Sequence, residues 1–127
     1  MSLPKAPSGT TLSQAIHHVV TDGENLFNNS TDRLFGIKAP QTLTDTATPS
    51  VAGYKTWLTG GTTTITDLTG GFVGQEVIIL SEHAITITDG TNIFLNASGD
   101  FVMASTDSLH LVQKTDGNWY EISRSVN

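Results

Sequence analysis

The chain of 127 residues contains no cysteine and few charged residues, which make up 14% of the sequence. Without cysteine there is no disulfide framework, no thiol nucleophile and no thiolate metal site. Six basic residues stand against twelve acidic ones, so the formal net charge is −6. Because nucleic acids and anionic membranes attract basic surfaces, we expect neither as a partner.

Long apolar runs are also missing. The longest, Val77 to Leu80, has the length of a strand, whereas a membrane-spanning helix needs about 20 apolar residues. The first seven residues lack the apolar core of a signal peptide. We therefore expect the protein to be made and used without secretion.

Residues 1–32 are predicted to form an arm followed by a helix. The first ten residues carry two prolines and alternate small with polar side chains, which favours an extended arm. Thr11 and Gln14 have the spacing of a capping box, which predicts a helix from about residue 12 to residue 20. Its narrow apolar stripe suits packing between copies of the helix, and equally packing on a sheet of the same chain or on a partner.

Residues 33–50 are predicted to be a linker, because Pro40 and Pro49 bracket an irregular, threonine-rich stretch. Residues 51–127 instead alternate apolar with polar side chains in short runs, separated by glycine-rich turns. Runs that start about ten residues apart predict a mainly β domain, a compact antiparallel sandwich of the jelly-roll type or a short β-roll. The predicted strands are 54–59, 62–67, 73–80, 84–88, 92–96, 101–104, 109–113 and 119–123.

The run from Val77 to Leu80 is apolar at every position, so both faces of its strand are predicted to be covered. In a small domain this indicates either the centre of a sandwich or a face that meets another subunit. We favour the subunit contact.

Groups that could carry out catalysis are sparse. Asp89 and Asp116 each precede a glycine, where an aspartate side chain commonly forms the turn. His17 and His18 are adjacent on the predicted helix and point about 100° apart, so they cannot share one ion. We expect no catalytic residues, no cofactor and no metal site; a histidine on a three-fold axis is the one route left to a metal.

Aromatic residues remain as candidate binding groups. Trp57, Trp119 and Tyr120 could stack on a sugar, because an aromatic face suits the apolar side of a pyranose ring. Aromatic side chains of this kind more often pair across strands or fill a subunit seam.

The β region as a whole resembles a known module. Its ordered segments are 46–51, 62–71, 74–80, 85–87, 92–95, 107–112 and 117–124. The more specific ones are Gly-Gln-Glu at 74–76, Gly-Asn-Trp-Tyr-Glu at 117–121 and Ser-Arg at 123–124. This set resembles the small β module of bacteriophage tail-fibre and tailspike proteins.

The resemblance implies a β-rich, homotrimeric protein at the virion surface, made in the host cytoplasm. In longer members of this class, polysaccharide cleavage resides in a long upstream β-helix, for which residues 1–50 leave no room. We therefore expect no enzyme activity. The least favoured hypothesis is an enzyme, a glycan hydrolase or lyase that uses carboxylates such as Glu76 and Glu82.

An arm, a helix and a compact β domain fit a trimeric capsid decoration or cement protein. Docking on the major capsid protein, or on another virion protein, is assigned to the arm residues Leu3, Pro4, Lys5 and Pro7. Contacts within the trimer are assigned to Leu12, Ile16, Val19, Val77, Ile79 and Trp119. The alternative is a short tail fibre or receptor-binding tip, which would bind a host surface glycan through Trp57, Trp119 and Tyr120.

Overall fold

In the computed structural model, which describes residues 38–127, eight short strands follow one another along the chain. They are β1 (Gln41–Thr42), β2 (Thr56–Leu58), β3 (Glu76–Leu80), β4 (Ile85–Ile87), β5 (Ile93–Phe94), β6 (Phe101–Met103), β7 (Ser108–Gln113) and β8 (Trp119–Ser125). A short 3-10 turn, Asn96–Ser98, follows β5. The mainly β prediction is confirmed. The predicted arm and helix lie outside the described residues, and so do Leu3, Pro4, Lys5, Pro7, Leu12, Ile16 and Val19.

The strands form a six-stranded sheet in the order β1-β2-β3-β7-β8-β5 and a two-stranded sheet, β4-β6. β3 and β8 each pair antiparallel with β7, as β4 does with β6, whereas β1–β2, β2–β3 and β5–β8 are parallel pairs. The prediction of an antiparallel architecture is therefore wrong for half of the strand pairs. Turn signals mark where strands end, but the long connections between β1, β2 and β3 carry the chain back so that these strands run in the same direction.

Seven of the eight predicted strands are present; five are shorter than predicted, whereas β7 and β8 are longer. The exception is 62–67, where Ile65 makes only an isolated bridge to Ile87. Its threonine-rich alternation favours an extended chain, but only Ile65 forms a β-bridge to another strand. Conversely, β1 falls within the predicted linker, and Leu43 just after it is buried at 2% exposure. Residues 41–50 thus contribute to the β domain.

Alternation along the strands builds a single hydrophobic core. On β3, Val77 and Ile79 are fully buried, and they pair with Leu111 and Leu109 of β7. The buried side chains of β4 and β6 belong to the same core. The two sheets thus share one core, as in a sandwich.

Two polar side chains tie the long loop between β2 and β3 to this core. The amide of Gln75 is buried; its nitrogen donates to the carbonyls of Val51 and Tyr54, and its oxygen accepts from the Phe72 amide. The indole nitrogen of Trp119 donates to the backbone carbonyl of Leu68, which lies in the loop between β2 and β3. Gln75 and Trp119 therefore fix the position of this loop against the rest of the domain.

Candidate functional site

An open groove of about 540 Å³ lies beside β8, at the edge of the six-stranded sheet. It is lined by residues 94–96 and 120–124. Its volume is within the range of ordinary ligand sites, about 300–1,000 Å³, but it is open to solvent, whereas such sites enclose most of their ligand. We take it as the candidate functional site of the described domain because of the side chains around it.

The groove exists because β5 accompanies β8 for only two residues. The parallel ladder ends at the pair Phe94–Tyr120. Beyond it, the backbone amide of Asn96 donates to the Glu121 carboxylate at 3.2 Å, and the chain turns away through Ala97 and its neighbour at positive φ. In the described part of the chain, the rest of β8 thus has no strand beside it on this side.

A β-bulge shapes the same stretch of β8. The register with β7 pairs His110 with Ser123 but Leu111 with Glu121, so Ile122 is the extra residue. Bulges bend a strand, increase its twist and redirect side chains. The Ile122 side chain lines the groove and is 52% exposed, which gives the groove an apolar wall.

An aromatic stack forms another wall. The rings of Phe94 and Tyr120 are 5.0 Å apart between centroids and nearly parallel, at 15°. The Lys114 ammonium also lies over the Tyr120 ring, 4.2 Å from its centroid. The Tyr120 hydroxyl donates to Asp116 at 2.6 Å, which raises the pKa of Tyr120 and lowers the pKa of Asp116.

A charged pair, Glu121 and Arg124, lies on the core-side face of β8, since these residues pair with the buried Leu111 and Leu109 of β7. The Nε and Nη2 atoms of Arg124 donate to the Glu121 carboxylate, with a shortest contact of 2.6 Å. This hydrogen bonding lowers the pKa of Glu121 and raises that of Arg124. The guanidinium also lies 3.9 Å from the centroid of the Phe101 ring.

The structure changes the predicted glycan contacts. Trp57 is 6% exposed and Trp119 fully buried, so neither offers a ring face to a sugar, and the prediction is wrong for both. Tyr120 does line the groove. The sequence interpretation missed Phe94 and Arg124, although the Ser-Arg and Asn-Ile-Phe segments were visible as parts of the phage-like pattern.

The predicted subunit contacts on β3 and β8 need the same correction. Val77, Ile79 and Trp119 are fully buried by their own chain, so their side chains cannot meet another subunit. The outward side of β3 carries Ile78 and Leu80, which are half-buried. β3 does have two apolar faces, but the face assigned to the trimer, which carries Val77 and Ile79, packs in the core of its own chain.

The carboxylates of the enzyme hypothesis lie outside the groove. Glu76 is 3.1 Å from the His110 imidazole and 3.9 Å from the Lys55 ammonium, on the outward side of the sheet. Glu82 is exposed, and its backbone amide donates to the Thr59 hydroxyl. Within residues 38–127 there is no group of three or more potential metal-binding side chains and no helix long and apolar enough to cross a membrane.

No protein-family model matches the chain, and no curated protein matches it. Function must therefore be inferred from the residues of the chain itself.

Proposed function

We propose that this chain is a structural protein of a bacteriophage virion, a capsid decoration protein that assembles as a trimer through its β domain. The outward face of the six-stranded sheet is the observation that carries the proposal. Leu58 of β2 is directly opposite Leu80 of β3, and Ile78 lies beside them on the same face. All three aliphatic side chains are half-buried, which suits a surface that packs against another subunit.

The phage-like segments give the proposal its context. Gln75 anchors the loop before β3, and Trp119 fills the core at the start of β8. Their roles are architectural, which supports a structural module rather than a transferred active site. Attachment to the capsid falls to the N-terminal arm, through Leu3, Pro4, Lys5 and Pro7.

The oligomeric state of the full chain tests the trimer. Light scattering after gel filtration is expected to give three times the mass of the chain, 13.5 kDa. Ile78→Glu should dissociate the trimer, because it places a charge in an apolar contact. Val102→Glu is the matched control, since Val102 is 71% exposed on the other sheet. A monomeric wild-type chain would contradict the proposal.

The position on the virion is tested by labelling intact particles for electron microscopy. Label distributed over the head is expected, and a chain that lacks residues 1–10 should remain folded but fail to decorate. Label at the tail tip alone would reject the decoration role.

A second function, a receptor-binding tip, is favoured by one observation, the groove beside β8. Its lining residues include the stacked pair Phe94 and Tyr120, an aromatic surface of the kind that binds sugars. Tail-tip labelling together with binding to host cells would support this alternative.

A further inference from the structure

We propose that the open half of β8 binds an extended, basic peptide segment of a partner protein as an added strand. The groove beside β8 is lined from both faces of the sheet, by Tyr120 on the outward face and by Glu121 and Arg124 on the core-side face. Side chains of a strand alternate between the two faces of a sheet, so an added strand contacts both walls at once. This inference does not depend on the trimer or on a position in the virion.

The backbone of β8 is open on the side away from β7. The amide of Gln113 on β7 donates to Gln75 beside β3, so every second residue of β7, including His110, faces β8 instead. His110 pairs with Ser123, so Ser123 directs its backbone groups to β7, and Arg124 directs its amide and carbonyl to the opposite side. Within residues 38–127 no strand lies there. These backbone groups can therefore pair with a new strand.

The bulge at Ile122 sets the length of the open edge. A bulge interrupts the regular spacing of backbone groups along a strand. Beyond it, the register with β7 is regular from Ser123 to Ser125. The regular edge is short, but β1 and β5 of the same domain each pair with a neighbour over only two residues. We therefore expect strand addition here to be weak and reversible.

Exposed apolar side chains lie at both ends of this edge. Ile122 is 52% exposed and Val126 is 70% exposed. They bracket the regular stretch from Ser123 to Ser125. Cross-strand contacts between apolar side chains stabilise strand pairs. The two residues thus offer contacts to apolar side chains of an added strand, next to the open backbone.

The charges around the groove favour a basic segment. The charge of Arg124 is balanced by Glu121 at 2.6 Å. Asp89 accepts a hydrogen bond of 2.6 Å from the amide of Leu95, which lines the groove, and Asp100 accepts one of 2.8 Å from the amide of Asp89. Within the described residues neither aspartate forms an ion pair. Two uncompensated carboxylates beside the groove attract lysine or arginine, and the net charge of −6 acts in the same direction.

The test is an NMR titration of the ¹⁵N-labelled full chain with a short synthetic peptide of alternating lysine and valine, capped at both ends. A peptide of alternating glutamate and valine is the matched control. The lysine peptide is expected to bind with a Kd of about 1 mM or tighter, and the glutamate peptide about tenfold more weakly or worse. The shifted amides should cluster at residues 94–96 and 121–125. No shift, shifts elsewhere, or equal binding of the two peptides would overturn the proposal.

N-methylation of the peptide backbone distinguishes strand addition from a purely electrostatic contact. Alternate amides of a strand point to the same edge, so only one edge of the peptide faces β8. One lysine–valine peptide is therefore methylated at its lysine amides and another at its valine amides. We expect one of them to bind about tenfold more weakly than the unmethylated peptide and the other to retain binding. Equal binding by the two methylated peptides would contradict strand addition.

Variants of the protein test the side chains. Asp100→Asn keeps an acceptor for its backbone hydrogen bond but loses the charge, and should weaken binding of the lysine peptide about threefold. Asp45→Asn is the matched control, since Asp45 is also exposed, also accepts a backbone amide and follows β1 at the other edge of the sheet. Ile122→Ala should weaken binding by a similar factor, whereas Val102→Ala, on β6, should not. Unchanged binding by both Asp100→Asn and Ile122→Ala would reject the site.

A second copy of the chain is the competing occupant of this edge. Shifts at residues 121–125 that grow with protein concentration, without any peptide, would show that two copies pair there, and would overturn the proposal of a basic partner. The titration is independent of the labelling of virions. Binding of the lysine peptide would support the strand site even if the decoration role failed, and absence of binding would leave that role standing.

Discussion

The indole nitrogen of Trp119 donates a hydrogen bond of 3.0 Å to the backbone carbonyl of Leu68, 51 residues earlier in the chain. Trp119 begins β8, and Leu68 lies in the loop between β2 and β3. Both side chains belong to the core, at 0% and 2% exposure. This contact joins the last strand of the β domain to the longest loop between its strands. Its removal should therefore lower the free energy of unfolding of the whole β domain.

Trp119→Phe should destabilise the domain by about 2–4 kcal/mol, because it removes core volume and leaves the Leu68 carbonyl without its donor. Urea unfolding followed by circular dichroism measures the change. Trp57→Phe is the control, since its indole bond to Tyr54 spans only three residues; a smaller loss is expected. A cost for Trp119→Phe of less than about 0.5 kcal/mol would refute the assigned role.

Gly71 shows how closely the same loop approaches the indole. A Cβ atom at this position would lie 2.6 Å from Cζ2 of Trp119 and 2.9 Å from Oε1 of Gln75. Gly71→Ala should therefore cost about 1–3 kcal/mol through overpacking. Gly99→Ala, where the nearest atom is 4.0 Å away, should be neutral or slightly stabilising. Thermal melts of both variants measure the difference. Equal effects of the two substitutions would argue against the close approach.

Asp107 gives a pH dependence with a definite sign. Its carboxylate accepts hydrogen bonds from the amides of Ala104 and Asn127, which lower its pKa. A lowered pKa in the folded state stabilises the fold above the unfolded pKa of about 3.9, and the contribution is lost as the pH falls through the folded value. We expect Asp107→Asn to be less stable than wild type at pH 7, with a difference that shrinks below about pH 4.

The matched control for this pH dependence is Glu82→Gln, which removes a carboxylate from an exposed side chain. Urea midpoints of this variant are measured across the same acid range, so that loss of a carboxylate alone is separated from loss of the hydrogen bonds at Asp107. A constant gap between Asp107→Asn and wild type from pH 7 to the acid limit would contradict the role of the ionised carboxylate.

The hydrogen bond from Tyr120 to Asp116 predicts a raised pKa for the phenol, because its proton is held by an anion. Spectroscopic titration of tyrosinate in Tyr54→Phe protein, which leaves Tyr120 as the remaining tyrosine, should give a midpoint above 10.0, its ordinary value. Asp116→Asn should lower this midpoint. An unchanged midpoint would show that the contact does not hold the phenol proton in solution.

Local chemistry in the sequence was sufficient to predict where most strands lie. Alternation at Ile85–Ile87 and at Leu109 and Leu111 predicts one buried face for each strand, and those side chains are buried. Turn residues mark the strand ends for the same reason, since backbone conformation at glycine and aspartate is a local property. The error at residues 62–67 is also local: a threonine-rich stretch favours an extended chain whether or not a partner strand is near.

The groove could be predicted only in part. Tyr120 was named as a contact because an aromatic residue stands out in any sequence. Phe94 and Arg124 were not, because their importance depends on the early end of β5 and on the bulge at Ile122. Neither the short β5 ladder nor the bulge can be recognised from the residues of the strand in which it occurs.

The sequence by itself determined a mainly β domain, because alternating side chains and glycine-rich turns act through local backbone preference. It also excluded thiol chemistry, because the chain contains no cysteine. Tertiary structure alone decided the parallel pairs, the inward side of β3 and the burial of both tryptophans. The physical reason is that each depends on which distant strand supplies the partner. Trp119 is buried because Leu68 and Gly71 of a distant loop pack against its indole. Phe94 lies at a groove because the chain turns away from β8 after β5.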